Sequence, residues 1–258
     1  IWLRIPVVNT NDVRLNWILE FRYPLIDYID VYVTTKEDIF KMHGGDNIPG
    51  RERIIQSRTF AFPVTSPPGR SEIVLRVRSG GSININLHAW GEKSFREFIV
   101  RDQLFQGFFF GIMLAIMIYN LIIFLFVGHR SYIYLALYII SISLYSAANN
   151  GFAYIYFWPD STIFAQRSHP FFLFSSIITL MLFTNSFLSL GHYHPRLFRF
   201  SMASTGAVAL ILPLTFLAPY RIITQLSVAC TIFFVFFICV TALASIATRR
   251  REAIYYIT

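Results

Sequence analysis

The chain has 258 residues, of which 55% are hydrophobic and 17% aromatic, with a formal net charge of +8 and a mean hydropathy of +0.54. That balance excludes a wholly soluble globular protein. The charge is also unevenly spread: residues 1–104 hold 14 Lys/Arg against 12 Asp/Glu, and residues 105–258 hold eight against two. The positive excess therefore lies in the apolar half, where basic loops set membrane orientation, and it does not argue for nucleic acid as a partner.

Period-2 alternation dominates residues 1–91. Trp2 opens a strand, WLRIPVV. Trp17, Leu19 and Phe21 alternate with Glu20 and Arg22; Ile29, Val31 and Val33 with Asp30, Tyr32 and Thr34. Phe60, Phe62 and Val64 form a further set, as do Ile73, Leu75 and Val77, and the alternation over 82–89 puts Ile83, Ile85 and Leu87 on one face. Turn chemistry separates them at 9–12, 44–50, 66–69 and 79–81. About six short antiparallel strands with one solvated face give a β-sandwich.

Trp2, Trp17, Tyr32 and Trp90 are the candidate ligand-binding residues, as aromatic platforms for a sugar. The alternative is that they fill the core between the sheets. No paired carboxylates, nucleophile–base pair or metal-ligand spacing stands out, so catalytic residues, metals and cofactors are not expected. Asp27 and Asp30 bracket a strand start, and His43 and His88 read as surface residues.

The period changes over 92–102, EKSFREFIVRD, where Phe95, Phe98 and Ile99 take the i, i+3, i+4 spacing of an amphipathic helix. With neither Pro nor Gly before Gly107, this helix runs into 105–127, 23 residues without a charge and long enough to cross a bilayer. A helix continuous with the span is a stiffer link than a Gly/Ser linker. Phe95, Phe98, Gly107, Gly111 and Asn120 are thus candidate signal-relay or helix-packing residues. Gly107 and Gly111 form a G-x-x-x-G, one route to a homodimer. Asn120 fits an interhelical hydrogen bond more readily than a ligand contact.

Further spans are expected at 132–148, 170–190 (with Pro170 in its first turn), 200–218 and 222–248, making five. Cys230 and Cys239 fall in the last of these, so no disulfide framework follows. If residues 1–104 lie outside, inside loops carry Arg130, Arg196, Arg199, Arg249, Arg250 and Arg251, against Arg167 and Arg221 outside; this fits the positive-inside rule. The long loop 149–169 would face outside, its aromatics suited to the headgroup region. No ionisable residue occupies a span centre, which disfavours a pump. The first and last residues, with a new apolar run opening at Ile254, read as the cut ends of a longer protein.

Several stretches resemble a known family. Trp2-Leu3-Arg4, Pro24-Leu25-Ile26-Asp27, Asp30-Val31-Tyr32, Phe62-Pro63-Val64, Pro68-Gly69 and Leu75-Arg76-Val77 are similar to the second extracellular domain of the bacterial seven-transmembrane receptors with diverse intracellular signalling modules. Gly107, Gly111, Tyr119-Asn120, the run Arg130-Ser131-Tyr132-Ile133-Tyr134, Tyr138, Asn150-Gly151 and Trp158-Pro159 resemble that family's helical domain. The resemblance implies a jelly-roll-like sandwich related to carbohydrate-binding modules, periplasmic on a bacterial inner membrane, over a seven-helix domain of which five spans are present. It also implies a cytoplasmic effector such as a diguanylate cyclase or a histidine kinase, outside this sequence.

The expected organisation is then a sandwich over 1–91, lacking its first strands, a connecting helix over 92–104, and a membrane domain over 105–258. The expected function is a receptor for an extracytoplasmic small molecule or carbohydrate, embedded in lipid and not itself an enzyme. The alternative is a transporter or membrane-enzyme component whose sandwich captures a substrate or binds a partner protein.

Overall fold

The computed structural model describes residues 1–35, 38–81 and 83–255, the last eight by backbone alone. The expectations for Ser82, for the side chains of Arg249, Arg250 and Arg251, and for the run beyond Tyr255 lie outside the described residues. Two compact units divide the chain: Ile1–Phe108 with Ser146–Gln166, and Phe109–Tyr145 with Arg167–Thr258.

The first unit holds seven antiparallel strands: β1 (Trp2–Asn9), β2 (Leu15–Phe21), β3 (Tyr28–Thr34), β4 (Ile39–Gly44), β5 (Phe60–Ser66), β6 (Gly69–Arg78) and β7 (Leu87–Gly91). They form a four-stranded sheet ordered β1-β6-β3-β4 and a three-stranded sheet ordered β5-β2-β7. Alternation turns one face of each inward. Ile29, Val31, Val33, Ile73, Leu75 and Val77 meet Leu19, Phe21, Phe60, Phe62 and Val64 in one core. Burying each such side chain contributes about 1.5–3 kcal/mol.

Two strands differ from the sequence reading. β4 was not anticipated because it is an edge strand whose first three residues, Ile39, Phe40 and Lys41, are all exposed; no face alternates for periodicity to detect. The expected strand over 82–89 is instead β7, five residues starting at Leu87. Its ladder partner β2 ends at Phe21; one further bond, from the Arg22 amide to the Asn86 carbonyl at 2.9 Å, precedes Pro24, and Ile83 and Ile85 still pack on the core.

Helix α1 follows β7 without a loop and runs unbroken over Glu92–Val127, about 54 Å at 1.5 Å per residue. The remaining helices are α2 (Arg130–Asn149), α3 (Phe152–Tyr156), α4 (Thr162–Phe187), α5 (Leu190–Tyr193), α6 (Pro195–Ile211, continued by a 3-10 turn to Phe216) and α7 (Tyr220–Tyr255). Five of these segments are long and apolar enough to cross a membrane. Pro170 is a correction: it sits inside α4 and not in its first turn. The residues between Ser161 and Pro170 contain no breaker, so the helix starts at Thr162 and carries Arg167 with it.

In the second unit α4, α6 and α7 pack through Phe174, Ile177, Met181, Val208, Phe234 and Phe237. Three hydroxyls buried here are satisfied locally: Thr215, Ser227 and Thr241 donate to carbonyls three residues back at 2.7–2.9 Å. Asn120, 5% exposed, does likewise. Its amide donates to the Ile116 carbonyl at 2.8 Å, a bond inside α1. An interhelical bond does link α2 to α4, from Ser131 to Ser186 at 2.9 Å. The Cys230 and Cys239 thiols are free.

Candidate functional site

Pairing register lays the outer face of the four-stranded sheet out in rows. Trp2, Arg76, Asp30 and His43 are cross-strand neighbours in one row; Arg4, Val74, Tyr32 and Lys41 form the next. Trp2, 61% exposed, lies against Tyr32 with ring centroids 6.3 Å apart and planes 25° apart. The Arg76 guanidinium is 5.4 Å from the Trp2 ring, Lys41 Nζ 5.5 Å from Tyr32, and Arg78 4.8 Å from Tyr28. The face also has two carboxylates, each with its own partner: Glu72 pairs with Arg4, and Asp30 Oδ1 lies 2.6 Å from His43 Nδ1. The Arg4 guanidinium holds the Glu72 carboxyl below its usual range. Rings and cations side by side can stack on a planar or ring-shaped ligand and pair with its charge.

Trp17 and Trp90 lie elsewhere, on the three-stranded sheet. Trp17 packs against the sandwich core and donates Nε1–H to Ser66 Oγ at 2.9 Å. Trp90 is on that sheet's outer face, where the first turns of α1 cover it. Its ring stacks on Phe98 at 4.9 Å, and its Nε1–H donates to Glu20 Oε2 at 2.8 Å. Glu20 is fully buried and also accepts from Thr59 at 2.8 Å and Arg22 at 3.1 Å, so its charge is met on both oxygens. Phe95, 3% exposed, enters a small cluster with Ile18 and Ala61, with Phe98 and Ile99 beside it. Further along α1, a Cβ on Gly107 or Gly111 would meet nothing within 4 Å.

A polar joint, between residues the sequence reading did not bring together, ties 45–58 to the segment 146–166. The Tyr154 hydroxyl donates to the Asp46 carbonyl at 2.7 Å and contacts that of Ile48. The Gly50 amide donates to the Pro159 carbonyl at 2.7 Å, and Gln166 reaches Asn47 Oδ1 at 2.9 Å. Arg53 is held between the Phe60 and Tyr154 rings, 4.6 and 4.4 Å from their centroids. Burial pushes the Asp46 carboxyl up to about 7, with Asp27 adding to the effect; it lowers Arg53 to about 10 and raises Tyr154 to about 12. Arg58 joins three pieces. It binds Asp102 of α1 with two bonds of 2.5 and 2.7 Å, which raise its pKa, and reaches the Asn150 carbonyl at 3.4 Å. Gly151 follows at φ +75°, where a Cβ would lie 2.4 Å from the Arg58 carbonyl oxygen. In the sequence, Asn150-Gly151 and Trp158-Pro159 marked the family resemblance, not this joint.

Among the described residues no three His, Cys, Asp or Glu side chains group as a metal site. The exposed face can bind and the two covered joints can transmit. A β domain of two antiparallel sheets followed by five apolar helices defines a membrane protein with a domain outside the bilayer. Residues 102–258 match the family model described as 7TM diverse intracellular signalling, and residues 1–91 the one described as 7TMR-DISM extracellular 2. The chain belongs to this 7TM diverse intracellular signalling family, whose architecture is that of a transmembrane receptor with an extracellular domain and intracellular signalling. Neither the curated proteins nor the solved structures yield a match.

Proposed function

We propose that the chain is the sensing and first-relay part of a receptor in the bacterial inner membrane, its sandwich on the periplasmic side. A carbohydrate binds the sheet face around Trp2 and Tyr32, and the change passes through α1 to a cytoplasmic effector such as a diguanylate cyclase or histidine kinase. The observation that carries this reading is the seating of α1 on the sandwich. Phe95, the Trp90–Phe98 stack and the Arg58–Asp102 pair fix its first turns, and the same helix continues without a break through the apolar stretch to Val127. A ligand shifts output only if it binds one arrangement of this joint better than another.

Reconstituting the complete protein in proteoliposomes tests the reading against transport. Oligosaccharide is expected to bind without accumulating inside, and Trp2→Ala or Tyr32→Ala to weaken binding about tenfold, close to 1.4 kcal/mol. Accumulation of the sugar in the vesicle lumen would establish the transporter instead.

A further inference from the structure

We infer that the outer face of the β1-β6-β3-β4 sheet takes an acidic saccharide, with a sugar ring on Trp2 and Tyr32 and its carboxylates on Arg76 and Lys41. The inference rests on the carbohydrate-receptor reading above and narrows its ligand. The charges decide it. Arg4 and Asp30 are engaged with Glu72 and His43. That leaves Arg76, Arg78 and Lys41 on this face with no carboxylate partner among the described residues, each beside an aromatic ring. A neutral sugar makes no use of three free cations, whereas a uronate presents an apolar ring face and a carboxylate together, and a guanidinium can bind that carboxylate through two parallel bonds.

The shape agrees. The third row of the same face, Pro6, Glu72 and Thr34, borders an open depression of about 540 Å³ that ends at Arg70, a further cation with no carboxylate partner among the described residues. That volume lies in the range of small-molecule sites. Four strands at about 4.8 Å spacing make the platform about 14 Å wide, room for a short chain of rings. On the other sheet, the outer face around Ile18 and Ala61 lies beneath α1.

The test is titration of the reconstituted full chain with a panel of hexuronate oligosaccharides and their carboxyl-reduced, neutral counterparts. A hexuronate is expected to bind about tenfold more tightly than its neutral partner, with the gap shrinking at high salt. Arg76→Gln and Lys41→Gln, both at solvent-facing positions and both checked for unchanged thermal unfolding, are expected to close the gap by weakening the hexuronate more than its neutral counterpart. Equal binding of the acidic and neutral forms, lost in Trp2→Ala, overturns the acidic assignment and leaves the carbohydrate reading standing. Equal binding of succinate overturns it as well, since charge alone would then suffice. Failure of every saccharide in the panel to bind overturns both readings.

Discussion

Asp46 is 6% exposed, and its carboxyl is pushed up to about 7, by burial first and by Asp27 second. An unfolded aspartate titrates near 3.9. Between those values the folded joint keeps a proton that the unfolded chain has released, so its stability falls as pH rises and is lowest above about 7. Hydrogen-exchange protection of residues 146–166, corrected for intrinsic rates, is expected to be greater at pH 5 than at pH 8. Asp46→Asn should remove the difference; an unchanged slope would place the titration elsewhere. Tyr154→Phe leaves the Asp46 and Ile48 carbonyls without their donor and is expected to cost about 1–3 kcal/mol of local stability, read as faster exchange over 45–58. Gly151→Ala puts a side chain at φ +75° and against Arg58, and should release the segment more completely. Neither Asp46 nor Tyr154 carries a sequence pattern. A lone Asp in a Gly-rich turn and a Tyr in an aromatic run acquire their roles only when brought together across about a hundred residues of chain.

At the level of elements, β3, β5 and β6 were legible because alternate apolar residues put one face in the core. β4 was not, because it packs only Met42 against that core. Helix α1 was readable from its change of period at Glu92 and the lack of Gly and Pro before Gly107, the two features that let it pass from the sandwich joint into the span. Phe95→Ala should loosen that joint by about 3–5 kcal/mol, seen as faster exchange over residues 92–102. A Gly/Ser insertion after Trp90 should abolish ligand-dependent output in the complete receptor while leaving saccharide binding intact. Output that survives the insertion removes α1 as the transmitting element.

For the whole molecule, orientation follows from basic residues in short connections. In a Cys230→Ser, Cys239→Ser background, Asp12→Cys is expected to react with a membrane-impermeant maleimide added to intact spheroplasts, and His129→Cys only after lysis; the reverse pattern inverts the topology. Five apolar helices were visible in the sequence, but the partition of 146–166 to the first unit was not, since its aromatics fit a membrane interface equally well. That partition bears on modularity. Family boundaries separate residues 1–91 from 102–258, yet Arg58 holds Asp102 and Asn150 at once. A chimera spliced at Gly91 would sever an interface that no linear boundary marks. Grafting a new sensor onto such a receptor means transplanting two discontinuous pieces together, 1–108 and 146–166, and the two must also diverge in evolution as one.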